Sequence, residues 1–364
     1  MLGNGRNICF VFIWNFCLMD NIRVELAERS YNIVFGSCVE ELAPKKTLLV
    51  TDSNVEKLYC EKLFQMLDPA DVFIIPAGEE SKNASTFLNI CRYAAALHLG
   101  RDCRFAAAGG GVTGDLTGFA AACYLRGVSF IQIPTTLLAM VDSSVGGKTG
   151  IDIPEGKNLV GAFHQPESVL IDTGFLATLP ERELKNGLAE VVKTAVIRDE
   201  EFFAFLENNA PSLGNAENTA LFNEIVRRCC RIKADVVSCD EKESGLRAIL
   251  NYGHTFAHPI ETLSDYTVSH GEAVSIGMEY AGRLALELGM WSKTDYQRQA
   301  SLLDALGLPR RRPQNIDPEK MLNLMMSDKK NRNGRITFIL PEKIGSVCSN
   351  SQIDSQTILK IISE

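Results

Sequence analysis

The residues best able to do chemistry lie in the second half of the chain. In RAILNYGHTFAHPIE, Arg247, Asn251, His254 and His258 recur at i, i+4, i+7 and i+11, which predicts one polar stripe along a helix. Such a stripe faces water or a polar cavity, not an apolar core. The chain has five histidines, and two on one helical face, with His270 nearby, make an imidazole group suited to a divalent metal. A catalytic zinc takes three nitrogen and oxygen ligands and leaves a position for substrate, so His254 and His270 need a carboxylate from elsewhere. Glu190 is the leading candidate: in GLAEVVKTAV it lies on an otherwise apolar helical surface, with Lys193 one turn on to balance its charge. An ordinary i,i+3 surface ion pair accounts for that spacing equally well. Glu272 is a rival ligand, although its place in the first turn of the next predicted helix also suits a helix-dipole role. Lys148, Lys157, Lys193, Lys233 and Arg247 each fall in or beside apolar or glycine-rich segments. Taken singly, solvation explains them; taken together beside a metal, they point to a small anionic substrate bearing carboxylate and phosphate.

A second constellation is the glycine-rich stretch over residues 106–157. A short apolar run over 105–108 is broken by Gly109, Gly110 and Gly111, and residues 115–122 follow as a helix. Strand, glycine turn and helix in that order aim N–H groups and a helix N-terminus at a pyrophosphate. The pattern departs from the strict G-x-G-x-x-G fingerprint, and an ordinary tight turn gives the same string.

The elements that must position these groups alternate along the first half. Strands are predicted over 22–26 and 31–35, in TLLVTD and DVFII, before the glycine turn, and in SFIQIP and SVLI; helices are predicted over 55–66 and 84–97. That alternation implies a mostly parallel sheet with its ligand site at the carboxyl ends of the strands, near Asp52, Gly78, Gly110, Thr135 and Thr173. Beyond about residue 175, helical periodicity takes over in LPERELKNGLAEVVKTAVI, EEFFAFLEN, ALFNEIVRRCCRIKADVVS, RAILNYGHTFAHPIE and GEAVSIGMEYAGRLALELG, with loops over 211–218 and 307–318 and one late extended segment in ITFILPEKIG. The fold class expected is therefore α/β plus α.

The 364 residues allow two domains, and 46% hydrophobic with 23% charged residues is an ordinary globular composition. A net charge of −8 argues against a nucleic-acid partner. Eleven cysteines without a C-x-x-C pair read as reduced, mostly buried thiols of a cytosolic protein. The apolar run over 8–19 is too short to span a bilayer and lacks a clear cleavage site. Residues 1–18 are expected to be a disordered leader or an upstream start.

From about residue 22 onward the chain resembles the 3-dehydroquinate synthases of the sugar phosphate cyclase superfamily. The resemblance rests on GGGVTGDLTGFAA, IPTTLLAMVDSSVGGKTGIDIPEGKNLVGAF, TLPERELKNGLAEVVK, GLRAILNYGHTFAHPIE, HGEAVSIGM and DKK. It implies a Rossmann-like NAD-binding domain over 19–174, a helical metal- and substrate-binding domain over 175–364, and an active site in the cleft between them. The implied reaction converts 3-deoxy-D-arabino-heptulosonate 7-phosphate to 3-dehydroquinate and phosphate with NAD and zinc or cobalt, in the cytoplasm and away from membranes. By the same resemblance Glu190, His254 and His270 are the metal ligands, and Lys193 and Asp142 lie near the hydroxyl that is oxidised. Lys233 and Arg247 clamp the carboxylate. Lys148, Asn158, Asn251, His258 and a lysine of DKK, Lys329 or Lys330, surround the phosphate. Arg126 matches an arginine that reaches the neighbouring subunit's site, implying a homodimer. For NAD the pattern falls on Asp52, Asn54, Gly78, Glu79, Glu80, Ser81, Lys82, Gly111, Val112, Thr113, Gly114, Asp115, Thr135, Thr136, Lys148, Lys157, Phe175, Leu176, Ala177 and Thr178.

The chain departs from the usual family pattern at Ala257, Pro259 and Asp152, where glycine, alanine and asparagine are common. Pro259 removes a helical N–H and is expected to kink the stripe after His258. Superfamily relatives that cyclise sedoheptulose 7-phosphate or glucose 6-phosphate have substrates without the carboxylate, which Arg247 and Lys233 disfavour. Metal-dependent polyol dehydrogenases share the architecture but lack the GGKTGIDIPEGKN run and the Glu, His, His set.

Overall fold

The structure, a computed structural model, describes residues 21–36, 42–327 and 336–364. The expected leader and both DKK lysines, Lys329 and Lys330, lie outside the described residues. The first half builds β1 (Ile22–Val24), β2 (Tyr31–Phe35), β3 (Thr47–Asp52), α1 (Ser53–Leu67), β4 (Asp71–Ile75), α2 (Ala84–Ala96), β5 (Arg104–Gly109), α3 (Gly111–Cys123), β6 (Ser129–Pro134), β7 (Lys148–Ile153), β8 (Gly156–Phe163) and β9 (Ser168–Ile171). Seven of these strands form one sheet in the order β1-β2-β9-β6-β5-β3-β4, parallel except for the antiparallel edge pair β1-β2. The inner strands β3 and β5 are buried almost throughout, as sheets covered on both faces require. Their alternate residues face opposite ways. Leu49, Ala106 and Ile131 join a large apolar core that continues into the helical half; Leu48, Val50, Phe105 and Phe130 join a smaller one under α2 and α3.

From β3 the chain steps outward to β4 and then returns across β3 to β5. The sheet reverses its order between β3 and β5, and a crevice opens outside their carboxyl ends, where Asp52 and Gly110 sit. Gly114 and Gly118, one turn apart on α3, let that helix lie close on the sheet and on β7. A Cβ at Gly114 would meet Gln132 at 2.7 Å, and one at Gly118 would meet Thr149 at 2.4 Å.

The second half builds α4 (Glu181–Arg198), α5 (Glu200–Asn209), α6 (Thr219–Cys239), α7 (His254–Leu263), α8 (His270–Glu287), α9 (Lys293–Ala305), α10 (Pro318–Ser327), the hairpin of β10 (Phe338–Lys343) and β11 (Ser346–Asn350), and α11 (Ser355–Ser363). The α/β-plus-α class holds, with four local corrections. GGKTGIDIPEGKNLVGAF folds as the antiparallel hairpin β7-β8 outside the main sheet, and the late extended segment is half of a hairpin. Arg247 and Asn251 do not share a helix with His254 and His258: Leu246–Asn251 is a 3-10 turn, and Gly253, at φ +80°, breaks it from α7. Pro259 sits inside α7, which runs on to Leu263. Of the eight described cysteines, all free, only Cys103, Cys229 and Cys230 are buried.

Close backbone contacts set the distances within the helical half. A Cβ on Gly277 of α8 would meet the carbonyl oxygen of Gly253 at 2.1 Å, and one on Gly271 would meet Asn186 of α4 at 2.5 Å. Alanine would add roughly 1 kcal/mol of helix propensity at position 277, but a carbonyl oxygen at that distance cannot give way as a flexible side chain can. Gly277→Ala is therefore expected to destabilise the protein by about 1–3 kcal/mol in urea unfolding. Gly214→Ala, which meets nothing within 4 Å, is expected to be neutral. Equal stability of the two variants would overturn this account of the α7–α8 contact.

Candidate active site

Helix α4 is buried without a break from Asn186 to Ile197, so both charged residues on it within that span must find partners inside the protein. Glu190 and Lys193, one turn apart, pair with each other, and each is almost fully buried. The surface ion pair that the sequence left open is excluded. His254, at the start of α7, brings Nε2 to 3.6 Å from Glu190 Oε1, and His270, at the start of α8, brings Nε2 to 3.3 Å. One ligand atom from each of Glu190, His254 and His270 lies within 4.8 Å of the others.

The far nitrogens of both rings are occupied. His254 Nδ1 lies 3.2 Å from the carbonyl oxygen of Tyr252, and His270 Nδ1 lies 3.2 Å from Glu261 Oε1. That leaves Nε2 of each ring turned toward Glu190, the arrangement of metal-binding histidines with outer partners. Neither Glu190 oxygen accepts a well-directed hydrogen bond among the described residues, although Lys193 touches one of them. Two imidazoles and an under-bonded buried carboxylate fit a divalent cation held by three ligands. Glu272, the rival, faces elsewhere: it accepts from the backbone N–H of Ser269 at 2.7 Å and pairs with Arg182.

Burial opposes ionisation of Glu190, but the ammonium of Lys193 and the nearby His270 outweigh it and hold the carboxyl at about 2. Burial drives His254 well below the ordinary histidine range and keeps it neutral. Burial opposes charge on His270 too, yet Glu190 and Glu261 lift it to about 10. A cation entering the cluster would take the place of the His270 proton.

A cationic wall adjoins this cluster. Between β6 and β7 a π-helical turn, Ala139–Ser143, presents Asp142, and Lys233 of α6 donates to both its carbonyl oxygen and its Oδ1, each at 2.5 Å. Asp142 stays ionised: burial opposes this, but Lys233 and Lys193 prevail. Burial lowers the Lys233 pKa, and Arg247 and Lys193 add to that effect against Asp142. Arg247 is buried, donates through both terminal nitrogens to the carbonyl of Gly146 at 3.2 Å and also reaches the carbonyl of Glu241; its Nε has no partner among the described residues. Beside it, Lys148 pairs with Glu243, which accepts from Asn251 at 2.5 Å. The His258 ring lies 5.5 Å from that of His254.

The nucleotide-side candidates gather at the crevice. Asp52 caps α1 by accepting from the N–H groups of Asn54 and Val55, and Thr113 Oγ1 lies 3.4 Å from its other oxygen. Gly110 caps α3, whose first turn carries Gly111, Val112, Thr113 and Gly114, with Asp115 next. Thr135 is buried and Thr136 caps Ala139 at 3.1 Å. Gly78, at φ +117°, precedes the turn of Glu79, Glu80 and Ser81. Lys82 is buried and donates to Asp115 Oδ2 and Asn158 Oδ1, 2.6 Å each, tying the crevice to the β7-β8 hairpin. Lys157 pairs with Glu79 at 3.1 Å. Asn158 holds φ +54° while its N–H donates to Asp152, the residue that departs from the family pattern. The side chains of Phe175 and Leu176 lie in the core, whereas Ala177 and Thr178 are exposed, Thr178 against Tyr59. Arg126 is on the surface, outside the cluster, at φ +70°.

Sequence reasoning missed Glu261, Glu243, Asp240 and Glu241. Glu261 had a signal, since it lies two turns beyond His254 on α7. Asp240 had none: its carboxylate accepts from the N–H groups of Ser244, Gly245 and Arg247 at 2.7–3.0 Å and from the Ser244 hydroxyl, organising the loop that carries Arg247.

A parallel nucleotide-type sheet facing helices that carry this two-histidine, one-glutamate cluster defines a sugar phosphate cyclase fold. Two solved structures share it: 2-epi-5-epi-valiolone synthase from Streptomyces hygroscopicus with NAD+ and Zn2+ bound (TM-score 0.85, 30% identity, 92% of this chain and 96% of that one), and 2-deoxy-scyllo-inosose synthase complexed with carbaglucose-6-phosphate, NAD+ and Co2+ (TM-score 0.85, 29% identity, 94% and 99%). The family models described as 3-dehydroquinate synthase N-terminal and C-terminal match residues 72–186 and 187–331. A 3-dehydroquinate synthase from Desulforamulus reducens is 46% identical over 360 residues, 95% of this chain and 100% of its own. The chain belongs to the 3-dehydroquinate synthase family. No described helix is long and apolar enough to cross a membrane.

Four donated hydrogen bonds hold the Asp240 carboxyl well below the usual aspartate range. Because folding lowers this pKa, its stabilising contribution is complete above the unfolded value, about 4, and is lost as pH falls below that. Wild type is expected to exceed Asp240→Asn in urea stability at pH 7, with the gap narrowing below about pH 4. A gap that stays constant from pH 7 to pH 3 would show that the carboxylate charge does not organise this loop.

Proposed function

We propose that the protein is an NAD- and divalent-metal-dependent 3-dehydroquinate synthase. It converts 3-deoxy-D-arabino-heptulosonate 7-phosphate to 3-dehydroquinate and phosphate in the cytoplasm, acting as a homodimer without nucleic acid. The observation that carries this reading is the cluster of buried Glu190 and His254 with half-buried His270, flanked by Lys193, Lys233 and Arg247. Residues 19–174 serve as the NAD-binding unit and 175–364 as the metal- and substrate-binding one.

Glu190, His254 and His270 hold the metal, zinc or cobalt as in the two solved relatives, and Asp52, Asn54, Gly78 to Lys82 and Gly111 to Asp115 line the nucleotide crevice. When bound, the cation acidifies a substrate hydroxyl and the nicotinamide carries hydride away and back. Lys193 and Asp142 place that hydroxyl. Arg247 and Lys233 take the substrate carboxylate; Arg247 rests on peptide carbonyls and so keeps its charge for that anion. Lys148, Asn158, Asn251 and His258 surround the phosphate. The departing phosphate itself removes the acidified carbon-bound proton, so these residues mainly fix its geometry. Re-reduction, ring opening and aldol closure then need only a held, water-poor site.

Purified protein with metal, NAD and the heptulosonate phosphate is expected to release phosphate and dehydroquinate together, and to turn over sedoheptulose 7-phosphate far more slowly. Absence of phosphate release, or equal turnover of the two sugars, would refute the assignment. Glu190→Gln should lose bound metal and more than about a hundredfold in rate, while Glu261→Gln, which spares every ligand, should weaken metal binding by roughly 10–100-fold. Normal metal content in Glu190→Gln would remove the cluster from the mechanism.

A further inference from the structure

Arg247 is held partly by the nearby carbonyl of Glu241 and partly from far away in sequence. Both of its terminal nitrogens rest on one carbonyl, that of Gly146, at 3.2 Å. Gly146 has φ +102° and Gly147 has φ +67°, and two successive left-handed glycines leave a peptide free to rotate. The space admits nothing else: a Cβ at Gly146 would meet Arg247 Nη2 at 2.5 Å, and one at Gly147 would meet Gln165 at 2.6 Å. What anchors the Gly146 backbone on its N–H side is a hydrogen bond to a residue far away in sequence. Its N–H donates to the hydroxyl of Tyr31, at 3.0 Å, across 115 residues. Tyr31 opens β2 and is 2% exposed. One glycine is thus gripped through its N–H by the sheet and grips the guanidinium through its C=O.

We propose that Tyr31 is a positioning residue for the reaction: its hydroxyl anchors the Gly146 backbone, whose carbonyl in turn holds Arg247 facing the substrate carboxylate. This rests on the reading of Arg247 given above. Tyr31 touches no substrate and acts only through Gly146 and Arg247. Replacing it with phenylalanine keeps the ring in the core but leaves the Gly146 N–H buried without an acceptor.

The test compares Tyr31→Phe, Arg247→Gln and the double variant as full chains loaded with metal and NAD. Five quantities are read: KM for the heptulosonate phosphate, kcat, inhibition by 3-dehydroquinate, which bears the carboxylate, and by inorganic phosphate, which does not, and the unfolding midpoint. Tyr31→Phe is expected to raise KM and the dehydroquinate inhibition constant about fivefold to twentyfold. Its kcat and phosphate inhibition should stay near wild type, while the orphaned Gly146 N–H lowers the unfolding midpoint modestly. Arg247→Gln should raise the same two constants further, and the double variant should be no worse than Arg247→Gln alone, since the two changes break one chain of contacts. Unchanged constants in Tyr31→Phe beside raised ones in Arg247→Gln would overturn the role of Tyr31 alone. Additive effects in the double variant would also overturn it, as would a parallel loss of phosphate binding in Tyr31→Phe. If Arg247→Gln changes neither carboxylate-dependent constant, the reading of Arg247 falls and takes this inference with it.

Discussion

The structure depends on a carboxylate that has no access to water. Moving an ion of this kind into a protein interior costs several kcal/mol after relaxation, and only good partners offset it. Glu190 sits in the middle of a buried helix, so every partner must come from another element or from its own helix one turn away. Lys193 alone would neutralise it. His254 and His270 are present as well, and Lys193 is drawn in turn toward Asp142. The result is a chain of alternating charge running from Glu261 through His270, Glu190, Lys193 and Asp142 to Lys233. Removing any one member leaves its neighbours buried and unbalanced, so the elements carrying them, α4, α6, α7, α8 and the turn before β7, fold as one electrostatic unit.

Charge complementarity alone does not place atoms to within an ångström, and glycine backbones supply that precision. Gly277 against Gly253 brings α8 and α7 closer than any side chain allows, and Gly271 against Asn186 does the same for α8 and α4. These are the three helices that carry the candidate ligands. On the sheet side the equivalent device is topological: the reversal between β3 and β5 opens a crevice that needs no special residue beyond the glycine turn. Lys82 joins the two sides, since its amine sits between Asp115 at the crevice and Asn158 on the hairpin.

Much of this was legible in the sequence where a physical period is visible. Buried parallel strands announce themselves as short apolar runs, and β3 and β5 are found where TLLVTD and RFAAAG stand. Amphipathic helices showed their stripes. The residues of the metal cluster were legible as types and as a resemblance, while their convergence was not, because it depends on contacts between helices that sequence spacing does not encode. The stripe from Arg247 to His258 failed for a definite reason. Counting residues in steps of three and four assumes an unbroken helix, and Gly253 at positive φ ends that assumption between Asn251 and His254. The β7-β8 hairpin was hidden by its glycines, which read as phosphate-loop chemistry rather than as a pairing so close that a Cβ at Gly161 would meet a backbone oxygen at 2.1 Å. Glu261 was passed over because a glutamate near a helix end ordinarily faces water, whereas this one is drawn inside by His270.

The manner in which Arg247 is held bears on what the site selects. A buried arginine is most simply stabilised by a carboxylate in bidentate contact, and the same chain uses that solution elsewhere, where Arg104 takes both oxygens of Glu167. At Arg247 the terminal nitrogens meet peptide carbonyls instead, Nε is left over, and burial lowers the guanidinium pKa despite the nearby Glu243 and Asp142. Carbonyl dipoles satisfy hydrogen bonds without cancelling charge. A guanidinium secured in that way keeps its full attraction for an anion while losing the freedom to swing toward a competing side chain. For a substrate whose carboxylate is the feature separating it from other sugar phosphates, an arginine already neutralised by a glutamate would discriminate poorly. If Arg247 takes the substrate carboxylate as proposed, neutral anchoring of the cation is the physical basis on which the site would favour the acid over a sugar phosphate that lacks it.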